Sequence, residues 1–168
     1  MAHTAYLGFG SNIGDRKRNI LKAYERLSEK GLKIIEKSGF FKTAPYGYES
    51  QPEFLNSVAL VEVEAGALRL LEIIKEVEKE IGRTETFRWG PRVIDIDILF
   101  FEDLVLKSEV LNIPHLDLHN RCFVLYPLAE IAPDFLHPVL KITVKELKKN
   151  CRGKVEKIEI TPAPDLRF

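Results

Sequence analysis

Hydrophobic and polar positions change period several times along this 168-residue chain. "HTAYLGF" (3–9) reads as a short strand running into the loop "GSNIG". A helix follows from about Asp15, a good N-cap, with Ile20, Tyr24 and Leu27 recurring on one face. "LKIIEKSGFFKT" (32–43) has strand character and a bend expected at Gly39. "APYGYESQPE" (44–53) carries Pro45, Gly47 and Pro52 and reads as a loop. "FLNSVALVEVE" (54–64) is a strand. Leu70, Ile74, Val77 and Ile81 stripe a second helix closed by Gly82. Residues 83–92 form a polar, arginine-rich loop, and "IDIDILFF" follows as a strand.

The order β-α-β-β-α-β is that of the ferredoxin-like folds. The expectation is an α+β domain, residues 1–168, with an antiparallel sheet and helices packed on it. Further along, "EDLVLKSEVLNI" suggests a hairpin-like excursion. "NRCFVLYPLAEI" has helical spacing despite Pro127, and "TVKELKKN" is a short amphipathic helix, so helical additions follow the core. "KVEKIEITPAPDLRF" adds an edge strand before a tail.

The last core strand contains a problem. Ile94, Ile96, Ile98 and Phe100 alternate and define one buried face. The other carries Asp95 and Asp97, then Leu99 and Phe101. Asp is disfavoured in strands, and carboxylates at i and i+2 share a face roughly 7 Å apart. A solvated face is the ordinary explanation of an isolated D-x-D. A hard divalent cation is the chemical one, because Mg²⁺ takes one or two carboxylates together with phosphate oxygens. Such a pair can also help hold two ions about 3.5–4 Å apart.

Arginines stand just upstream. Arg83, Arg88 and Arg92 fall within ten residues, with Arg121 later in the chain. Guanidinium forks bind phosphate bidentately, so the neighbourhood of the Asp pair suits a polyphosphate. Trp89 either closes over a nucleotide or anchors the core. The glycines of "GFGSNIG" match G-x-G-x-x-G poorly, and no G-x-x-x-x-G-K-[ST] occurs, which excludes a P-loop. Asn56 shares a strand face with Phe54, Val58 and Leu60. A buried amide there needs partners, either neighbouring backbone or the edge of a planar heterocycle stacked on Phe54. His115 and His119 lack a third ligand for zinc.

Composition narrows the class. A hydrophobic content of 45% fits a globular domain rather than a disordered chain. Lys+Arg and Asp+Glu balance at 25 each, leaving no global pull towards nucleic acid or membrane. The two cysteines, Cys122 and Cys151, are far apart in sequence; they suggest a reducing, cytoplasmic setting without a disulfide, and Cys122 reads as a small packed hydrophobe. There is no signal-peptide pattern and no apolar run of membrane-spanning length.

"GSNIGDR", "QPEFLNSV", "GR", "RWGPRVIDIDIL", "PH" and "NRCFVLYPLAEIAP" together resemble, in order and spacing, the motifs of the 6-hydroxymethyl-7,8-dihydropterin pyrophosphokinases of folate biosynthesis. They span roughly residues 6–134. The resemblance implies transfer of pyrophosphate from ATP to the pterin hydroxymethyl group, with AMP released. It implies that Asp95 and Asp97 bind two Mg²⁺ ions and that Arg83 and Arg92 act with them in catalysis. Thr43, Ala44, Pro45, Tyr46 and Asn56 would read the pterin edge, and Phe54 and Phe123 would sandwich the ring. Glu78, Arg83, Trp89, Arg92, Ile98, His115 and Arg121 would line the ATP side. Segments 10–15, 44–53 and 83–92 correspond to the family's mobile loops. Two features depart from it: Thr84-Glu85 follow Arg83 where members often carry another basic residue, and Phe54 stands where some have Tyr.

Two other classes are set against this one. A ferredoxin-like small-molecule sensor without turnover accounts for the fold but not for the aspartates beside arginines. A metal-dependent nuclease accounts for the aspartates, but no long basic stripe is present. The partners expected are therefore small molecules, ATP and the pterin, with no nucleic acid and no membrane; a monomer is compatible with the sequence.

Overall fold

The computed structural model describes residues 2–43, 53–82, 93–153 and 155–158. The elements are β1 (His3–Ser11), α1 (Arg16–Glu29), β2 (Lys33–Lys37), β3 (Phe40–Thr43), β4 (Phe54–Val63), α2 (Ala67–Ile81) and β5 (Asp95–Phe101). After them come β6 (Leu106–Lys107), β7 (Asn112–Ile113), α3 (Cys122–Ile131), α4 (Val144–Asn150) and β8 (Val155–Ile158). Among the described residues a six-stranded sheet runs β5-β1-β4-β3-β8, with β2 also on β4, and its pairings are all antiparallel. Counting β2 and β3 as one broken strand gives the order fourth-first-third-second, as expected of the split βαβ arrangement. The predicted bend at Gly39 is a full interruption. Beside it Ser38 Oγ accepts from Val58 N at 2.9 Å, and the strand resumes at Phe40.

Local chemistry sets the helix ends. The Asp15 carboxylate accepts the amide of Arg18 at 3.1 Å and starts α1. Gly82, at φ 102°, closes α2 in the left-handed conformation. Thr143 caps α4 by accepting from Glu146 N.

Both sheet faces are covered, by different helices. On one face Leu7, Phe9, Ile96 and Ile98 pack with Ile20, Tyr24 and Leu27 of α1 and Leu70, Ile74 and Val77 of α2. On the other, Val58, Leu99 and Phe100 pack with Leu125 and Leu128 of α3 and Val144 and Leu147 of α4.

The clean alternation expected through Phe100 does not hold. Leu7 pairs with Ile98 but Tyr6 with Phe100, so Leu99 is the extra residue of a β-bulge. Past it, Phe100 joins the α3 face and Phe101 the α1/α2 face, the reverse of the expected sides. The Leu99 carbonyl finds its donor in the amide of His115, at 3.2 Å. The bulge thus anchors the excursion that returns through β7.

The cysteine expectation is also corrected. Cys122 and Cys151 form a disulfide, with Cα atoms 5.6 Å apart. Sequence separation misled because Cys122 begins α3 while Cys151 follows α4, and the packed helices bring those two ends together.

Candidate active site

The register of three strands builds the site. Gly10 lies opposite Asp95 on β5 and opposite Asn56 on β4. One step along, Gly8 lies opposite Asp97 and Val58. Residues paired across a sheet share a face, so both aspartates and Asn56 project from the α3 side. Between them, over a span of about 10 Å, β1 contributes only glycine. The result is a floor with carboxylates at one edge, an amide at the other and no side chain from β1 between them. Gly8 and Gly10 are the residues that sequence reasoning missed. The available signal was "GFG" inside a strand, where glycine costs stability and often marks a close approach.

The carboxylate edge is strongly electronegative. Burial, then the charge of Asp95, pushes the Asp97 carboxyl up to about 7, with Arg121 acting in the opposite direction. Arg121 immediately precedes α3, and its Nη1 lies 4.0 Å from Asp97 Oδ2. Its guanidinium also sits over the Phe123 ring, 5.6 Å from the centroid. His115 is held near 4, by burial first and then by Arg121. It is therefore neutral at pH 7, and its Nδ1 accepts from the amide of Asp117 at 3.3 Å.

Glu78 reaches the same strand from α2. Only 2% exposed, it accepts the amide of Ile96 through Oε2 at 2.9 Å. Ile96 lies between the two aspartates on the outermost strand of the sheet, so Glu78 satisfies a backbone donor that β1 cannot reach. Its Oε1 is 3.4 Å from Lys75 Nζ.

At the other edge Asn56 is 5% exposed. Its Nδ2 donates to Thr43 Oγ1 at 2.9 Å and to the Phe41 carbonyl at 3.4 Å. These contacts fix the amide orientation and turn its Oδ1 towards Gly10. The Phe54 ring lies against the same glycine.

The structure therefore gathers Asp95, Asp97, Arg121, Phe123, His115 and Glu78 at one end of the floor and Thr43, Phe54 and Asn56 at the other. Ile98 differs from the rest of the expected set, because its side chain is packed on the α1/α2 face. Ala44, Pro45, Tyr46, Arg83, Trp89 and Arg92 lie outside the described residues. Among the described residues no group of three or more His, Cys, Asp or Glu is placed to hold a metal. The donor set is two carboxylates, one of which already tends to take up a proton. That suits a hard cation drawing its remaining ligands from phosphate and water.

An α+β fold with two carboxylates, an arginine beside one of them and a fixed amide suits a phosphoryl-transfer class of protein. Residues 6–133 match the family model of 7,8-dihydro-6-hydroxymethylpterin-pyrophosphokinase, and the chain belongs to that family. A 2-amino-4-hydroxy-6-hydroxymethyldihydropteridine pyrophosphokinase of Aquifex aeolicus is 47% identical over 86% of this chain and 90% of its own length. One from Haemophilus influenzae is 39% identical over 92% and 98%. The Dictyostelium discoideum folic acid synthesis protein FOL1 is 43% identical over 95% of this chain, which spans only 24% of that longer protein. In fold, the chain is similar to wild-type HPPK-DHPS of Plasmodium falciparum solved with pteroate. There the TM-score is 0.70 at 21% identity, over 89% of this chain and 42% of that one.

Proposed function

We propose that the floor joining Asp95 and Asp97 to Asn56 is where this chain carries out its family's reaction. That reaction transfers pyrophosphate from ATP to 6-hydroxymethyl-7,8-dihydropterin in folate biosynthesis. A sensor without turnover finds no support among the relatives. The observation that carries the assignment is the shared register of Asp95, Gly10 and Asn56. It leaves room for a flat substrate beside a site suited to metal and phosphate.

Asp95 and Asp97 would hold Mg²⁺, as two ions, which when bound would neutralise the triphosphate and orient the attacking hydroxyl. Arg121 adds positive charge on the α3 side, and Arg83, Trp89 and Arg92 are assigned to the ATP on resemblance. His115, neutral, offers a hydrogen bond rather than a charge. Ile98 would contribute through its backbone, because its side chain faces the core. Glu78 holds the peptide between the aspartates, so its part is orientation more than ligand contact. Asn56, oriented by Thr43, would read the pterin edge with Ala44, Pro45 and Tyr46, and Phe54 and Phe123 would stack on the ring. Residues 1–168 would act as one domain. No helix among the described residues is long and apolar enough to cross a membrane.

Incubation with Mg-ATP and the hydroxymethyl pterin, followed by identification of the nucleotide product, tests the reading. AMP is the expected product. ADP as the main product would remove it.

A further inference from the structure

The motif "GSNIGDR" enters the site through Gly10 and ends at Arg16. Arg16 opens α1, and its Nη1 donates to the carbonyl of Glu53 at 2.7 Å. Glu53 directly precedes Phe54, so that carbonyl belongs to the peptide plane shared with Phe54. Fixing the plane fixes the direction in which the Phe54 side chain leaves β4. The ring comes within 3.5 Å of where a Cβ on Gly10 would stand, beside Asn56.

Arg16 is itself held from behind. Asn19 Nδ2 donates to Ser11 Oγ at 3.1 Å and to the Ile13 carbonyl at 2.8 Å, and Asp15 caps α1. The turn between β1 and α1 therefore carries the guanidinium on a braced support. Cations in the first turn of a helix oppose its dipole, and α1 has no acidic residue within that turn beyond its Asp15 cap. Helix stability does not favour an arginine at this position, and the contact to Glu53 supplies a different reason for it. A second tie on Glu53, Lys42 Nζ at 3.8 Å from its carboxylate, is partly exposed and weak.

We infer that Arg16 is a positioning residue for the pterin half of the site, acting through the Glu53–Phe54 peptide. The inference rests on the assignment of Phe54 and Asn56 to the pterin. The test compares Arg16→Ala and Arg16→Lys with Phe54→Ala and Asn56→Ala in the full chain. Pterin affinity is measured with a non-hydrolysable ATP analogue present, and affinity for that analogue alone is measured in parallel with thermal melts. Arg16→Ala should weaken pterin binding about tenfold, the effect of one charge-assisted hydrogen bond. Analogue binding and melting temperature should stay close to wild type. Arg16→Lys, which retains a cationic donor, should recover most of the loss.

Wild-type pterin affinity in Arg16→Ala, with large losses in Phe54→Ala and Asn56→Ala, would overturn the role of Arg16 alone. Equal losses for both ligands, or no recovery in Arg16→Lys, would also overturn it. Unchanged pterin affinity in all the alanine variants would instead remove the pterin assignment, and this inference with it.

Discussion

A Cβ placed on Gly10 would stand 3.3 Å from Oδ1 of Asn56, the residue paired with it across β1 and β4. The same atom would lie 3.5 Å from Cδ1 of Phe54. Gly10→Ala should therefore leave the fold intact, since Gly10 is not among the positive-φ glycines, yet displace the Asn56 amide by a few tenths of an ångström. Pterin affinity should fall by about tenfold or more with little change for ATP, a loss comparable to one hydrogen bond in a dry pocket. Gly8→Ala is the control: its Cβ would meet only the side chain of Leu99, the nearest carbon at 3.4 Å, an ordinary contact. Calorimetry on both variants checks this, and equal pterin losses would contradict it.

Asp95→Asn and Asp97→Asn should each reduce turnover by at least about a hundredfold while preserving the fold, because the exchanges are nearly isosteric. Asp97 adds a pH signature. Its folded pKa, about 7, lies above its ordinary 3.8 because burial and Asp95 disfavour the carboxylate. Between those values the folded state holds the proton more tightly than the unfolded state does. The metal-free protein thus loses stability as pH rises through that window, and the loss levels off above it. With about a third of the side chain open to solvent, the size is about 1 kcal/mol rather than that of a dry site. Melts of metal-free Asp97→Asn should show that slope reduced, with a higher Tm at pH 8. An unchanged slope would exclude Asp97 as its source.

Glu78→Ala should destabilise the protein by about 1–3 kcal/mol, since the Ile96 amide loses a buried acceptor. Glu78→Gln keeps an acceptor oxygen and should recover most of that stability. Urea unfolding of the pair separates the hydrogen bond from the charge. Equal losses in both variants would mean that the charge, not the acceptor, supports β5.

The Cys122–Cys151 bond closes a loop with a sequence separation of 29 residues. Chain-entropy reasoning gives a stabilisation of about 3–4 kcal/mol for such a loop, or roughly 6–16 °C in Tm for a chain of this size. A dithiol reductant or Cys151→Ser should lower the melting temperature by that amount. Scans indifferent to reductant would show that the bond contributes nothing to stability in solution.

By itself the sequence determined the core elements and the family. Periodicity placed α1 and α2 because Ile20, Tyr24 and Leu27 in one, and Leu70, Ile74 and Val77 in the other, recur at helical spacing, and Asp15 and Gly82 mark helix ends through purely local chemistry. Asp95 and Asp97 stood out because like charges two apart on a strand need an explanation that apolar neighbours do not give. These signals act over a few residues, which is why they were legible. Tertiary structure decided what depends on partners distant in sequence. The bulge at Leu99 exchanges the sides of Phe100 and Phe101, because the register with β1 shifts there and no local alternation records it. The approach of Cys122 to Cys151 follows from how α3 packs on α4. The open floor arises because pairing with both β4 and β5 sets Gly10 between Asp95 and Asn56, where any side chain would occupy the space left for substrate.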